Sequence, residues 1–233
     1  MNIVLFESSE IGAPLDVADE RAQHILKVLR RGEGDSFDAG EIDGKRGKAT
    51  VRAIGPKALE LTFDLSIDEP ALYPIDLIVG LSRPQTNRKI LQEATALGVR
   101  SIRFALTDRG EPSYVKSKLW NSGEWRRHIV NGTAQAFTTR LPHVSHGMAL
   151  EEAIGAVDGK AKRIALDNYE ADEALGEMDA RGQAITLAIG SERGWTTAER
   201  SALRERGFVL AHLGNRPLRT ETATVAGIAL LTR

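Results

Sequence analysis

The sequence contains no cysteine among its 233 residues. This absence excludes disulfide bonds, thiolate metal sites and cysteine nucleophiles. A metal site would therefore have to use the five histidines together with carboxylates. Only His143 and His146 lie close together, and no suitably spaced third ligand flanks them. A surface pair of histidines is the simpler interpretation, and we predict that no metal is bound.

Long apolar runs and a strong charge of one sign are also absent. No run approaches the roughly 20 apolar residues that a membrane-spanning helix needs. The first residues lack a basic region ahead of their apolar ones, so we expect a cytosolic protein without a membrane partner. The formal net charge is −1. This value argues against a uniformly basic nucleic-acid-binding protein, but it allows a local basic surface that contacts phosphates.

The first 70 residues combine several short strand patterns with a single helical pattern. Glycines and a Gly–Pro pair separate these strands, which favours a small β-barrel or sandwich. Two prolines, Pro70 and Pro74, then mark a change of pattern, and we predict domains over 1–70 and 71–233. The elements predicted in the first domain are a helix over 18–29 and strands over 2–6, 36–39, 48–54 and 58–65.

The second part of the chain alternates continuous apolar strands with helices. This pattern is typical of an α/β fold with a mostly parallel sheet that is covered on both faces. Trp120 and Trp125 are interpreted as core or interface residues rather than platforms for nucleic-acid bases. The predicted strands are 75–81, 101–106, 163–166, 184–189 and 208–213, and the predicted helices are 86–97, 116–137, 150–157, 196–206 and one from 220 to the end.

Two of these strands end in glycine-containing loops, 190–194 and 214–217. Ligands of open α/β sheets usually bind at the carboxyl ends of the strands, and glycine lets a ligand approach the backbone closely. Spacing alone is equally compatible with glycines that only form tight turns. The loops therefore indicate a candidate ligand cleft without identifying the ligand.

The residues of the two loops resemble a known signature. IGSERGW at 189–195 and LGNRPLRTETA at 213–223 are similar to the carboxyl-terminal motifs of the RsmE-type family of ribosomal RNA uridine-N3 methyltransferases, which belongs to the SPOUT class. Family members usually have IGPEGG in the first loop and a run close to ILRTETA in the second. Ser191 and Arg193 replace the family's proline and glycine. Two further departures, Ala134 and Thr138, lie in another stretch that otherwise resembles the family.

The resemblance implies a fold and a reaction. It implies a small PUA-like β-barrel at the amino terminus and a carboxyl-terminal α/β SPOUT domain with a trefoil knot. The reaction would be S-adenosylmethionine-dependent methylation of N3 of a uridine in 16S ribosomal RNA of the small subunit. Arg219 would stabilise negative charge on the uracil, and Glu192 would accept the proton or organise the pocket. The cofactor would contact Leu166, Ile189, Gly190, Glu192, Gly194, Leu213, Gly214, Asn215 and Leu218.

Two basic clusters are candidates for contacts with ribosomal RNA or the small ribosomal subunit. The first lies at the carboxyl end of the amino-terminal helix, where cations also relieve the helix dipole. The second lies after the strand predicted over 75–81, where a solvated helix start is the alternative. We also expect a homodimer, because the apolar terminal helix needs a partner surface. The clusters contain Lys27, Arg30 and Arg31, and Arg83, Arg88 and Lys89.

Two alternative functions follow from the departures at Ser191, Arg193, Ala134 and Thr138 and from the start of the chain. One is an RNA-binding protein that keeps this fold without catalysis. The other is the same chemistry on a different RNA. The second alternative rests on the first strand, where Glu7 and Glu10 stand in a region that is usually basic in the family.

Overall fold

A computed structural model describes residues 2–157, 159–180 and 182–232. The chain forms two compact units. Unit 1 comprises residues 1–71 together with 133–141, and unit 2 comprises residues 72–132 together with 142–233. The chain therefore enters unit 2, returns to unit 1 for nine residues and enters unit 2 again.

Unit 1 is built on a five-stranded mixed sheet with the order β1, β3, β4, β5, β2. Strands β1 and β3 pair in parallel, and the other pairs are antiparallel. The alternating apolar side chains of these strands pack with Ala22 and Ile25 in one core. The elements are β1 Val4–Phe6, β2 Leu15–Asp16, α1 Glu20–Gln23, β3 Ser36–Glu41, β4 Arg46–Ile54 and β5 Ala58–Ile67, with a 3-10 turn Ser8–Glu10 and a π-helical turn His24–Val28.

The returning segment 133–141 is fixed within unit 1 by hydrogen bonds to its strands and turns. The backbone N–H of Ile3 donates to Ala134, and that of Asp43 donates to the carbonyl of Thr139. The Thr139 hydroxyl donates to the Gly44 carbonyl over 2.7 Å. These contacts make the segment an integral part of unit 1.

Unit 2 is built on a seven-stranded, fully parallel sheet with the order β10, β12, β9, β11, β6, β7, β8. All five residues of its central strand β11 are buried, as expected when helices cover both faces of a parallel sheet. The strands are β6 Tyr73–Gly80, β7 Val99–Leu106, β8 His143–Ala149, β9 Lys162–Leu166, β10 Glu173–Ala174, β11 Ile185–Ile189 and β12 Val209–His212.

The helices of unit 2 follow the predicted alternation with one clear exception. The single helix predicted over 116–137 is wrong, because Gly123 adopts a positive φ of 73° and separates two helices there. The last three residues of the second of these helices, α4, already lie in unit 1. The helices are α2 Pro84–Ala96, α3 Lys118–Asn121, α4 Glu124–Gln135, α5 Leu150–Gly155, α6 Thr197–Glu205 and α7 Thr220–Leu231, with 3-10 turns Pro112–Lys116 and Leu175–Glu177.

Candidate functional site

A cavity of about 290 Å³ lies in unit 2 at the carboxyl ends of β12, β9 and β11, which are neighbours in the sheet. Three loops form it, one after each strand. Two of them are the glycine-containing loops predicted from the sequence, whereas the third, the loop 167–170 that follows β9, was not predicted. The lining residues are Leu166, Asp167, Asn168, Tyr169, Ile189, Gly190, Ser191, Glu192, Arg193, Gly194, Leu213, Pro217, Leu218, Thr220 and Ala223.

Seven of the nine residues predicted to contact a cofactor line this cavity. The other two, Gly214 and Asn215, are exposed in the loop after β12, which lines the cavity through Leu213, Pro217 and Leu218. Gly214 has a φ of 103°, and its backbone N–H donates to Nδ1 of His212 over 3.1 Å. A Cβ added at Gly214 would meet no atom within 4 Å. A larger residue at this position would therefore act mainly through backbone strain.

The loop after β11 is a tight turn held from several directions. The N–H of Gly194 donates to the Ser191 carbonyl over 2.8 Å. A Cβ at Gly190 would lie 2.9 Å from Cα of Gly194, so close backbone packing requires a glycine there. The Arg193 carbonyl accepts a 2.9 Å bond from Nη1 of Arg109. Arg193 is not among the non-glycine residues with a positive φ in the described chain, so arginine fits this backbone.

Glu192 anchors the same loop to helix α2. Its Oε1 accepts a 2.9 Å hydrogen bond from the backbone N–H of Arg83, the residue that precedes the helix. This contact satisfies a donor at the helix end that has no partner within the helix. A carboxylate held in this way is suited to organise the cavity.

Trp195 connects the loops that follow β11 and β9. Its indole ring is completely buried, and Nε1 donates a 3.0 Å hydrogen bond to the carbonyl of Leu166. Helix α6 begins immediately afterwards with a capping box. The Thr196 hydroxyl accepts from the N–H of Glu199, and Oε2 of Glu199 accepts from the N–H of Thr196 over 2.7 Å. This capping box sets the start of the helix that was predicted over 196–206.

The loop 167–170 is organised around a buried carboxylate. Oδ1 of Asp167 accepts from the N–H groups of Tyr169 and Glu170 over 2.8 and 2.7 Å. Oδ2 accepts a 2.7 Å bond from Nε of Arg200 in α6. The signal in the sequence was the acidic and amide pair Asp167–Asn168 directly after an apolar strand, at the edge where ligands bind.

Arg219 precedes helix α7 at the end of the third loop, and its side chain is exposed. Within the described part of the chain no carboxylate forms an ion pair with it. Glu221, two residues later, pairs with Nζ of Lys89 over 3.2 Å. Burial alone would raise the pKa of Glu221, but its own backbone N–H, Lys89 and Arg219 together lower it. Arg219 is not among the residues that line the cavity, but it is exposed and lies in the chain directly between two that do, Leu218 and Thr220.

The other predicted cations occupy different environments. Arg83 is exposed, whereas Arg88 is paired with Glu124 through Nε over 2.7 Å. Arg88 and, after it, His128 lower the pKa of Glu124 to about 2. Arg88 is thus committed to an ion pair within unit 2, while Lys89 bridges helices α2 and α7 through Glu221.

In unit 1, Lys27 lies in the π-helical turn, Arg30 and Arg31 follow it, and all three are exposed. Arg30 adopts a positive φ of 54°, and the N–H of Arg31 donates to the carbonyl of Ile25 over 3.0 Å. This is the geometry of a helix end that glycine usually occupies. Arginine at this position costs backbone energy, which favours a role for its charge.

The two histidines considered as metal ligands lie on strand β8. The ring of His146 stacks on Trp120, with 4.4 Å between ring centroids, and burial lowers the pKa of His146. Trp120 is itself buried, as expected for a core residue. The residues that the structure describes contain no group of three or more His, Asp or Glu placed to hold a metal ion. They also contain no helix long and apolar enough to cross a membrane.

Two family models match the chain. An RNA methyltransferase domain matches residues 68–232, and an RNA methyltransferase PUA domain matches residues 17–64. Among solved structures, a ribosomal RNA small subunit methyltransferase E from Neisseria gonorrhoeae bound to S-adenosyl methionine has a TM-score of 0.77 at 26% identity, covering 97% of this chain and 95% of that one. A structure from Porphyromonas gingivalis, with a TM-score of 0.81 at 19% identity over 99% of this chain and 97% of that one, supports the fold.

Curated relatives agree with these matches over nearly the whole chain. The ribosomal RNA small subunit methyltransferase E of Treponema pallidum is 36% identical over 99% of this chain and 90% of the relative. The enzyme of the same name from Bacillus subtilis is 23% identical over 92% of this chain and 88% of the relative. The chain therefore belongs to the ribosomal RNA small subunit methyltransferase E family of RNA methyltransferases.

Proposed function

We propose that this protein methylates N3 of a uridine in 16S ribosomal RNA of the small subunit, with S-adenosylmethionine as the methyl donor. The observation that carries the proposal is the cavity at the carboxyl ends of β12, β9 and β11, which combines the two loops of the family signature. The related protein from Neisseria gonorrhoeae is bound to S-adenosyl methionine. We place the activity in the cytoplasm, where ribosomal subunits are found.

The cavity suits the cofactor chemically. Leu166, Ile189, Leu213 and Leu218 supply apolar walls, and the backbone of the three loops supplies polar groups that fix orientation. Bound S-adenosylmethionine supplies an electrophilic methyl group. We propose that Gly190, Glu192 and Gly194 complete the binding site, with Gly214 and Asn215 shaping the cavity loop that follows β12.

The protein's own contribution to the chemistry is electrostatic and positional. Uridine N3 carries a proton at neutral pH, so methylation requires that the ring lose this proton as negative charge develops on it. Arg219 stays protonated and cannot act as a base, but its free guanidinium can stabilise the charge. Glu192 organises the cavity through Arg83, which is the role that its hydrogen bond favours over proton acceptance.

RNA contacts are assigned to both units. Residues 1–70 form the proposed RNA-binding domain, with Lys27, Arg30 and Arg31 as phosphate contacts. Residues 71–233 form the proposed methyltransferase domain, where Arg83, Arg88 and Lys89 lie on the helix anchored by Glu192. Because Arg88 and Lys89 have ion-pair partners in the unit, Arg83 is the most available cation of the three. The proposed assembly is a homodimer.

The test is to map the product. Small ribosomal subunits from a strain that lacks this protein are incubated with the purified protein and labelled S-adenosylmethionine. Mass spectrometry of the digested 16S RNA then identifies the methylated nucleoside, and primer extension locates it, because a methyl group on N3 blocks base pairing. We expect one N3-methyluridine. Methylation of another atom, or cofactor binding without transfer to any subunit RNA, would contradict the proposal.

A further inference from the structure

Tyr169 is an exposed aromatic residue at the mouth of the cavity. It is among the lining residues, yet 76% of its surface is accessible. No other aromatic ring of the described chain packs against it. Single exposed apolar residues are common on proteins, so exposure alone indicates nothing. The way in which the loop is held is what distinguishes this tyrosine.

A buried ion pair fixes the position of Tyr169. The side chains of Asp167 and Arg200 are only 2% and 5% exposed, and they meet over 2.7 Å. The same carboxylate accepts the backbone N–H of Tyr169. The Arg200 guanidinium also lies 5.2 Å from the centre of the tyrosine ring. One pair therefore orients both the backbone and the ring of an exposed residue.

A second ion pair supports the end of the loop. Glu170 bridges Arg200 and Arg204 of helix α6, with 2.7 Å between its Oε2 and Nη1 of Arg204. Buried ion pairs contribute little net stability, because desolvation of both charges offsets their attraction. Burying such a pair to hold an exposed loop is understandable when the loop must keep a defined shape. Tyr169 is thus positioned in advance, with one face on Arg200.

We propose that Tyr169 stacks on the RNA base that enters the cavity. This inference rests on the proposed function, because N3 lies on the edge of uracil that forms base pairs and is accessible only when the base is unpaired and unstacked. Such a base needs a new stacking partner. An aromatic ring suits this need, and stacking on it tolerates any base. Tyr169 is therefore a substrate-contacting residue, and Asp167 and Arg200 are positioning residues.

The test separates RNA binding from cofactor binding. Tyr169→Ala, Tyr169→Phe and Tyr169→Trp are compared in single-turnover methylation of unmodified small subunits at saturating cofactor and varied subunit concentration. The alanine variant is expected to need about tenfold to a hundredfold more subunits for half-maximal rate, which is the usual loss for one stacked base. The phenylalanine and tryptophan variants should stay near the parent. Cofactor affinity, measured by calorimetry, should be unchanged in all three.

Tyr73→Ala is the matched control. Tyr73 is 50% exposed in the same unit, but it is the first residue of strand β6 and so lies at the amino-terminal ends of the strands, whereas the cavity lies at their carboxyl ends. It should behave like the parent in both measurements.

Two results would overturn the stacking role. The first is a Tyr169→Ala variant that needs no more subunits than the parent for half-maximal rate. The second is a loss of cofactor affinity in Tyr169→Ala as large as its loss of subunit affinity, which would mean that the ring contacts the cofactor instead. The methylated atom is determined separately in the parent. A product other than N3-methyluridine would contradict the proposed function, while a selective RNA defect in Tyr169→Ala would still support stacking.

Discussion

At the scale of single residues, the cations around the cavity differ in exposure and in whether a carboxylate pairs with them. Arg88 and Lys89 have carboxylate partners, and Arg200 is buried against Asp167. Arg219 is exposed at the start of α7 and lies at the end of the third cavity loop. A guanidinium in this position can approach a substrate without first breaking an ion pair. This difference keeps Arg219 a candidate for contact with the reacting base.

Arg219→Ala is expected to lower the single-turnover methylation rate by about a hundredfold or more, the usual loss for one preorganised donor. Arg219→Lys should be nearly as impaired, because it keeps the charge but loses the planar fork. The rate is measured on unmodified small subunits at saturating cofactor and RNA, with folding checked by circular dichroism. A folded alanine variant with a near-parental rate would remove Arg219 from the chemistry.

His146 provides a prediction about pH. Its pKa is lowered by burial, so the unfolded chain takes up a proton at a higher pH than the folded protein. The folded protein is therefore expected to lose stability as the pH falls below about 6.5, the usual histidine pKa, because the unfolded chain then binds a proton that the buried ring does not. His146→Phe retains an aromatic ring against Trp120 without a titrating group. Its melting temperature should exceed that of the parent by a margin that grows between pH 7.5 and pH 5, and a constant margin would contradict this explanation.

Glycine positions show what a sequence can and cannot explain. The sequence analysis related Gly190 and Gly214 to close approach of a ligand. In the structure, Gly190 is required because a Cβ would contact the Gly194 backbone at 2.9 Å, and Gly214 because of its φ of 103°. A residue type thus indicates an unusual backbone, but it does not reveal which atoms make that backbone necessary.

At the scale of elements, strong local signals predicted the structure well. Continuous apolar runs predicted β6 and β11, and the helix predicted over 196–206 matches α6 to within one residue at each end. Strands of two residues, such as β2 and β10, are too short to show any periodicity. The loop 167–170 was missed for a different reason. Its shape depends on Arg200, which lies 33 residues beyond its bonding partner Asp167.

Helix α7 allows a direct test of the cavity. Ala223, in its first turns, lines the cavity, so Ala223→Leu should fill part of the space that the cofactor needs. We expect at least tenfold weaker binding of S-adenosylmethionine in calorimetry. Ala198→Leu is the control, because Ala198 is exposed on α6 and does not line this cavity. Equal affinity in the two variants would mean that the cofactor binds elsewhere.

The three basic residues at the end of the π-helical turn give a prediction for unit 1. Replacement of Lys27, Arg30 and Arg31 by alanine should weaken RNA binding. It should also reduce the dependence of binding on salt, because fewer phosphate contacts release fewer counterions from the RNA. Cofactor binding should be unchanged. Affinity for small subunits is measured at several salt concentrations. If the salt dependence of subunit binding is unchanged, these residues do not contact phosphates and act only as cations at a helix end.

At the scale of the whole molecule, the proposed homodimer rests on the surface of α7. This helix is apolar from Val225 to Leu231, yet Val225, Ala226, Ala229 and Leu230 are only partly buried or exposed. We expect light scattering to give about twice the monomer mass of 25.4 kDa at micromolar concentration. Ala229→Arg should shift this mass towards the monomer, and a parent protein that is already monomeric would contradict the proposal.

The family and the two-part fold were predicted from the sequence, and both are confirmed by the family models and by a relative with 36% identity. The residue identities in the two signature loops made this possible, because these loops retain Glu192, Gly194 and Arg219 of the family signature despite the changes at Ser191 and Arg193. The trefoil knot stays a prediction of the resemblance. Local patterns carry no information about threading, because a knot is a property of the complete path of the chain.

The return of residues 133–141 to unit 1 has a consequence for synthesis on the ribosome. The five strands of unit 1 are complete by Ile67, but their hydrogen bonds to Ala134 and Thr139 require some seventy further residues to be translated. During that interval β6 and β7 have been made while β9, β11 and β12 have not. Until residue 139 has been translated, neither unit of the nascent chain is complete. A fragment that stops at residue 71 lacks the contacts of residues 133–141 and should be prone to proteolysis.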